Sequence, residues 1–426
     1  MKIKKGLLLT IAATAVLALG SCGAEQGGSN YGDVSTPIGI WATAAEEAVI
    51  KQVVDDYNSK QSDAKNKFNY TFTAVSEADC GTTLAKDPTV SGAPALFLCA
   101  DDHINNLVNL DIIAELKGAR AEKIKANNSE VSVLGVQNND KIYGYPVTSD
   151  NGYFLWYDKS QLSDVSSLED ILATAKKNGK QVLMDVPNGW YANSFLMSPA
   201  ACGIESLYWS KDANGKSVYT TTWDNEVGVK VSEYIASLLT PYYSDGTFLI
   251  GSNDVISAGF QSGKMIAAVS GTWMEKDLKV AIGDNLAAAK LPEYHIDGKG
   301  YQMASFTGSK VYGINKTRPA AEQKVAAALA DLLTGKEAQL VRFNTRQSLP
   351  CNLEAQKDKA YLDNVTIGGK ALNEQNLFAC VQSKTAEDRY WDIGKAIGQG
   401  YIDSNLGGKT WAQFLKEQMD TLRKSN

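Results

Sequence analysis

The feature that most constrains the fold is the alternation of short apolar strands with amphipathic helices. A strand pattern over 38–41 is followed by a helical pattern over 44–60, and the alternating strand pattern over 68–75 by a helical pattern over 78–85. Another apolar strand pattern covers 95–99. Strands that alternate with helices form parallel sheets covered by helices, so the sequence predicts an α/β fold. Ligands of such folds bind beyond the carboxyl ends of the strands.

The same alternation continues through the rest of the chain. Strand patterns cover 152–157, 181–186, 265–270 and 311–314, and helical patterns cover 168–175, 226–239, 322–333 and 388–422, the last with a break at Gly407-Gly408. The folded part is about 390 residues long, which exceeds the size of a single hydrophobic core, and we therefore expect two lobes.

The N-terminus has the pattern of an export signal rather than of a folded element. Lysines precede an apolar stretch over 7–19, which is too short to be a stable membrane-spanning helix. The stretch ends in Leu-Gly-Ser-Cys, which resembles a bacterial lipobox, so 1–21 is predicted to be a lipoprotein signal peptide and Cys22 to carry the lipid. The Gly/Ser/Asn-rich segment 22–35 is predicted to be a flexible tether. These features place the protein on the extracellular face of the cell membrane.

Charge and cysteine content restrict the possible partners. The formal net charge is −6 and no basic run occurs, which argues against a nucleic-acid partner. No Cys-x-x-Cys or His-x-x-x-His pattern is present, and we expect neither a metal nor a cofactor. In an exported protein, cysteines favour disulfides. Because Cys80 follows one strand pattern and Cys99 ends another, we predict a Cys80–Cys99 disulfide, with Cys351–Cys380 as a second candidate pair.

Several motifs together resemble the sugar-binding proteins of ABC transporters, and most closely their maltose/maltooligosaccharide branch. The segment GFQSGKMIAAVSGTW, over 259–273, is similar to a helix, Gly-Lys turn and strand that end in Gly-x-Trp in that family. The segment YPVTSDNGYFLWYD, over 145–158, resembles the crossover between the lobes, and GSKVYGIN with LLTGKEAQ, over 308–339, resembles the return strand and helices. Arg-Tyr-Trp at 389–391 resembles the start of an aromatic helix near the C-terminus.

The resemblance implies a two-lobed, type II periplasmic-binding-protein fold of the Venus-flytrap kind, with a hinge that the chain crosses several times. It implies an N-terminal lobe of 36–148 plus 304–350 and a C-terminal lobe of 149–303 plus 351–426. The lobes would close on an oligosaccharide, most closely a maltooligosaccharide, and present it to the permease of an ABC importer. The protein is expected to be a monomer and not an enzyme.

The resemblance also implies a set of ligand-binding residues. Aromatic rings cover the apolar faces of a sugar ring, and carboxylates and amides bind its hydroxyls. The expected residues are Trp273, Trp190, Trp391, Tyr191, Tyr390, Asp102, Asp150, Asn151, Glu47 and Trp41, with Glu46 as an alternative to Glu47. Gly271 is expected to let the backbone turn Trp273 outward. The other tryptophans within element patterns, at positions 156, 209, 223 and 411, are expected to be packing residues.

Other functions stay open at this stage. Where the maltose-binding branch has an aromatic residue at the end of the third strand, this chain has Cys99, which leaves room for a different oligosaccharide, a polyol or a peptide. Asp102 and Asp150 could form the carboxylate pair of a glycan-active enzyme. The adjacent Tyr242 and Tyr243 are similar to the paired tyrosines of ferric-iron-binding proteins of the same architecture.

Overall fold

The structure is a computed structural model, which describes residues 31–211, 216–385 and 388–424. The predicted signal peptide, Cys22 and most of the predicted tether lie outside these ranges. The last residues of that tether differ from the prediction: Val34 is buried in the core, and the ring of Tyr31 packs against Tyr57 at 5.7 Å and Phe68 at 5.8 Å. Tyr31 and Val34 therefore belong to the folded part of the first lobe.

Among the helices of these ranges, none has the length and apolar character that crossing a membrane requires.

The strands of the described ranges are, in chain order, β1 (Ile38–Ala42), β2 (Tyr70–Ala74), β3 (Leu96–Ala100), β4 (Gln137–Asn138), β5 (Lys141–Ile142), β6 (Tyr145–Pro146), β7 (Phe154–Asp158), β8 (Gln181–Leu183), β9 (Leu207–Lys211), β10 (Ser217–Thr221), β11 (Phe248–Leu249), β12 (Met265–Ser270), β13 (Leu286–Ala289), β14 (Glu293–Ile296), β15 (Lys299–Gln302), β16 (Ser305–Thr307), β17 (Lys310–Ile314) and β18 (Ala379–Val381).

The α-helices of the same ranges are α1 (Glu47–Ser59), α2 (Glu77–Lys86), α3 (Ile104–Asn109), α4 (Ala119–Asn127), α5 (Glu130–Gly135), α6 (Leu168–Lys177), α7 (Gly189–Ala192), α8 (Glu226–Ser244), α9 (Asn253–Gln261), α10 (Glu275–Ile282), α11 (Ala320–Leu333), α12 (Lys336–Arg346), α13 (Leu353–Gln356), α14 (Lys359–Leu362), α15 (Ile367–Gln375), α16 (Gln382–Thr385), α17 (Asp388–Asp403) and α18 (Trp411–Arg423).

The first lobe is built on a five-stranded sheet with the order β2-β1-β3-β17-β6. β1 pairs in parallel with β2 and β3, whereas β17 runs antiparallel to β3 and to β6. β3 has four consecutive buried residues, as expected for a central strand covered on both faces. The carboxyl ends of β1, β3 and β6 and the amino end of β17 therefore meet at one edge of the sheet.

The second lobe is built on another five-stranded sheet, with the order β11-β8-β12-β7-β13. β12 is parallel to β8 and antiparallel to β7. All six residues of β12 are buried, and its bounds agree with the predicted strand. The α/β prediction is confirmed in both lobes.

Three hydrophobic cores show how the chain is divided. The first core combines side chains from 34–147 with side chains from 311–338. The second combines 153–306 with 380–422, and the third combines 154–286 with 343–372. The chain thus passes between the lobes several times. Phe343 and Leu349 pack in the third core, with the second lobe, although the predicted boundary places them in the first.

The predicted Cys80–Cys99 disulfide is absent from the structure. Neither residue forms a disulfide, and no disulfide joins Cys351 to Cys380. Cys80 lies on α2, which packs on β3, rather than at the end of a strand, so the premise of adjacent strand ends does not hold. Both thiols belong to the first core, and burial raises the pKa of Cys80 to about 12.

A buried ion pair fastens the start of the first lobe to α12. Glu46 is fully buried, and its carboxylate accepts hydrogen bonds from Nε and Nη2 of Arg342 at 3.0–3.1 Å and from Arg346. Burial disfavours the charged form of Glu46, but the arginine charges outweigh it and hold the pKa of the carboxyl below its usual value. Glu46 is thus a structural residue, in contrast to its expected role at the ligand.

Replacing Glu46 by alanine should destabilise the protein because it leaves the buried guanidinium of Arg342 without its partner. We expect a loss of about 3–5 kcal/mol in the free energy of unfolding, measured by denaturant titration at neutral pH. The matched control is Glu354→Ala, which removes an exposed pair with Lys357 and should cost less than about 1 kcal/mol.

The same pair should make stability depend on pH. Because the folded-state pKa of Glu46 lies below its unfolded value, its contribution is complete above the ordinary glutamate pKa and is lost as the pH falls through the lowered value. The difference in unfolding free energy between the wild type and Glu46→Ala should therefore shrink in acid. A difference that does not change with pH would contradict this account.

Candidate functional site

The candidate site starts from the strand order of the second sheet. Because β8 and β12 are parallel neighbours, the segments that follow them emerge at the same edge. The segment after β8 forms the short helix α7 with Trp190, and the segment after β12 forms a 3₁₀ turn, Thr272–Met274, with Trp273. β7 is antiparallel to β12, so its amino end, preceded by Tyr153, lies at that edge too.

Four aromatic side chains meet at this edge and form what we call the aromatic wall: Tyr153, Trp190, Tyr191 and Trp273. The ring centroids of Trp190 and Trp273 are 5.9 Å apart, with an angle of 32° between the ring planes. Trp190 also contacts Tyr153 at 4.8 Å and Tyr191 at 5.2 Å. The prediction had named three of these residues but had missed Tyr153.

Exposure differs strongly along the aromatic wall. The side chain of Trp273 is 44% exposed, whereas Trp190 is half-buried and donates from Nε1 to Oε1 of Gln382 at 3.1 Å. A large aromatic ring left open to solvent beside a second tryptophan offers an apolar face to a ligand. Trp273 is therefore the outermost surface of the site.

Tyr153 and Tyr191 support the wall from behind. Both are buried, and their ring centroids are 4.7 Å apart. The Tyr153 hydroxyl is hydrogen-bonded to Oδ1 of Asn193 at 3.1 Å and Oγ of Ser194 at 3.0 Å. The Tyr191 hydroxyl lies near the side chain of Ser270, and burial raises the pKa of Tyr191 to about 12. The position of Tyr153 directly before a strand of the central sheet was the signal that could have identified it.

The two predicted residues of α17 take different positions. Trp391 is half-buried, with its ring 6.2 Å from that of Phe306, and lies against Gly189 of α7. Tyr390 is fully buried, and its hydroxyl donates to the carbonyl of Gly189 at 2.8 Å. Trp391 thus lies beside α7, the helix that carries Trp190, whereas Tyr390 holds α7 in place.

The remaining predicted residues follow or flank strands of the first sheet, with one exception. Asp102 follows β3 with a side chain that is 46% exposed, Glu47 begins α1 on an exposed position, and Asp150 and the exposed Asn151 follow β6. These four residues carry carboxylate or amide groups on side chains that are exposed or half-buried. Trp41 lies within β1, is 8% exposed and belongs to the first core, so its face is covered.

Sequence reasoning missed an acidic and a basic side chain that lie near each other beside this edge of the first sheet. Oδ2 of Asp101 accepts the backbone N–H of Ser309 at 3.0 Å. Burial and the neighbouring charge of Asp102 raise the pKa of Asp101 to about 8. Lys384 faces Asp101 and donates to the carbonyl of Gln137, and burial lowers the pKa of Lys384 to about 8. Nothing in the spacing of 101 and 384 along the chain could indicate this pair.

The short helix α16 connects the two edges. Its first residue, Gln382, contacts Trp190 of the wall, and Lys384 reaches the first lobe at Asp101 and Gln137. α16 also packs against the 3₁₀ turn Asp101–His103. The aromatic wall of one lobe and the carboxylates of the other thus flank the same helix, which defines the candidate cleft.

A separate cavity of about 1130 Å³ lies elsewhere between the lobes. Its lining includes Glu130 and Leu134 of α5, Ile204, and the exposed side chains of Leu362 and Leu377. None of the predicted ligand-binding residues lines it. In the described ranges, no cluster of three or more His, Cys, Asp or Glu is arranged to hold a metal ion.

A family model and two relatives of known function match most of this chain. The family model for bacterial extracellular solute-binding proteins matches residues 52–368. A maltooligosaccharide ABC transporter solute-binding lipoprotein of Streptococcus pneumoniae serotype 4 is 24% identical over 376 residues, which covers 83% of this chain and 82% of the relative. Its counterpart in another strain of that species is 23% identical over 363 residues, with coverage of 82% and 79%.

Solved structures show the same architecture. The ligand-free maltodextrin-binding protein of L. casei matches with a TM-score of 0.76 and 20% identity, over 91% of this chain and 99% of that one. The maltose-binding protein of Listeria monocytogenes in complex with maltose matches with a TM-score of 0.71 and 18% identity, over 91% and 97%. The fold is therefore the two-lobed type II periplasmic-binding fold, and this chain belongs to the family of bacterial extracellular solute-binding proteins.

Proposed function

We propose that the protein captures an oligosaccharide of the maltooligosaccharide type between its lobes and delivers it to the permease of an ABC importer. The observation that carries this proposal is the aromatic wall. In it, an exposed Trp273 lies beside Trp190 at the edge of the second sheet where β8 and β12 end. The names of the relatives, which are maltooligosaccharide ABC transporter solute-binding lipoproteins, support the choice of sugar and transporter.

The aromatic wall and the carboxylate and amide side chains near the first sheet match the two kinds of surface on a sugar. A pyranose ring has apolar C–H faces, which would stack on Trp273, Trp190 and Trp391. Its hydroxyls would bind Asp102 and Glu47 of the first lobe, and Asp150 and Asn151 of the crossover that follows β6. Since these groups sit on different lobes, a bound sugar would favour closure of 36–148 plus 304–350 onto 149–303 plus 351–426.

We further propose that the protein acts as a monomer at the extracellular face of the cell membrane, held by a lipid on Cys22. The lipobox-like sequence before Cys22 and the lipoprotein names of the relatives support this anchor. We propose binding without turnover, because the family consists of solute-binding proteins. No additional function is favoured by a specific observation in the described residues.

Titration calorimetry with a panel of oligosaccharides tests the proposed function. We expect saturable, one-to-one binding of maltotriose or maltotetraose, weaker or no binding of β-linked glucans and of fructose-containing oligosaccharides, and no release of glucose on prolonged incubation. Binding of a non-glucan oligosaccharide alone would keep the family but reject the proposed sugar. Hydrolysis of maltotetraose would reject the proposal of binding without turnover.

Replacing Trp273 by alanine should weaken maltotetraose binding without unfolding the protein. The loss should be about 1–3 kcal/mol of binding free energy, by analogy with the stacking of nucleic-acid bases on aromatic side chains. Because 44% of the Trp273 side chain is exposed, the melting temperature should change little.

Val280→Ala is the matched control, since Val280 lies on the adjacent helix α10 and is 83% exposed. It should leave both affinity and melting temperature unchanged. A collapse of the melting temperature in Trp273→Ala, with sugar affinity retained in the folded fraction, would identify Trp273 as a packing residue instead.

A further inference from the structure

The turn that carries Trp273 is held at both ends by residues distant in sequence. At its start, the carbonyl of Gly271 accepts a hydrogen bond from the indole N–H of Trp156 at 3.0 Å, and Trp156 is fully buried. At its end, a carboxylate oxygen of Glu275 accepts the backbone N–H of Gly368 at 3.3 Å. Between them, Met274 is buried and its N–H also donates to the Gly271 carbonyl, at 3.2 Å.

Gly368 links the two ends of this turn. It lies on α15, which packs against the second sheet after the chain has returned from the first lobe. A Cβ atom on Gly368 would lie 2.7 Å from the ring of Trp156 and 2.8 Å from the carboxylate of Glu275. Both distances are too short for real contacts, so any larger residue at this position must displace Trp156, Glu275 or both.

Gly271 is required for space rather than for backbone freedom. Its φ is −100°, which any residue can adopt, in contrast to the expectation that a glycine is needed for the turn itself. A Cβ atom on Gly271 would lie 2.1 Å from the ring of Trp273. The indole of Trp273 therefore lies directly over the bare backbone of Gly271, beside the ring of Trp190, and is 44% exposed.

We propose that Trp156, Gly271 and Gly368 form a frame that positions Trp273 for stacking before any ligand arrives. An exposed side chain that is free to rotate loses conformational entropy when a ligand immobilises it, and a frame removes that cost from binding. Trp156 and Gly368 touch only the turn and the interior, so they are positioning residues and not ligand contacts. The frame's effect on sugar affinity rests on the proposed function, whereas its effect on the orientation of Trp273 does not.

Fluorine NMR of protein labelled with 5-fluorotryptophan tests the orientation without a ligand. The chain has eight tryptophans, and the Trp273 signal is identified as the one missing from Trp273→Phe. In Gly368→Ala we expect this signal to shift or broaden. Gly369→Ala is the matched control on the same helix: its Cβ would meet Val365 and Leu349 at 2.8–2.9 Å, away from the frame, and the Trp273 signal should keep its wild-type position and width.

If Gly368→Ala does not fold, Trp156→Phe replaces it, since phenylalanine keeps an aromatic ring but removes the N–H that binds Gly271. We call the folded one of Gly368→Ala and Trp156→Phe the frame variant. The proposed frame would be overturned if the Trp273 signal of the frame variant were the same as in the wild type, or if the signal changed equally in Gly369→Ala.

Maltotetraose titration of the same variants tests the consequence for binding. The frame variant should bind roughly 2- to 10-fold more weakly, the range expected for immobilising one additional side chain, and Gly369→Ala should bind as the wild type does. A moved Trp273 signal with wild-type affinity would overturn the frame's role in binding. If the wild type binds no oligosaccharide, the proposed function fails, while the fluorine signals still decide whether the frame exists.

Discussion

The candidate site depends on the position of β12 between β8 and β7. The parallel pairing with β8 brings Trp190 and Trp273 to one edge, and the antiparallel pairing with β7 adds Tyr153 behind them. β12 is buried on both faces, and a register slip of one residue would exchange the side chains of its two faces. The wall is thus a consequence of sheet topology, and its residues need not be close in sequence.

The residues that stabilise the fold differ from the residues that are proposed to bind the ligand. In the first lobe, Glu46 is paired with arginines in the interior, whereas Glu47, one residue later, is exposed and is one of the proposed sugar-binding residues. In the second lobe, the hydroxyl of Tyr390 donates to the carbonyl of Gly189 and holds α7 in place, and Tyr191 is buried behind the wall. Such buried side chains support the edge at which Trp273 is exposed to solvent.

The sequence predicted what local periodicity determines. The strand over 265–270 and the placement of Trp273 just past it follow from a pattern of consecutive apolar residues, and both agree with the structure. Contacts between distant segments could not be predicted. Trp41 was assigned from its place at the end of a predicted strand and Tyr390 from its place in a motif. The first is covered by the core and the second by α7, because burial depends on tertiary packing. Cys80, Asp101 and Gly368 likewise take their roles from neighbours on other elements.

The most direct test of this account is a crystal structure of the protein with bound maltotetraose. The account predicts a pyranose ring stacked on Trp273 between the lobes, with its hydroxyls bound by Asp102 or by the residues after β6. A sugar bound instead in the cavity lined by Glu130, Ile204 and Leu377, with the aromatic wall unoccupied, would contradict it.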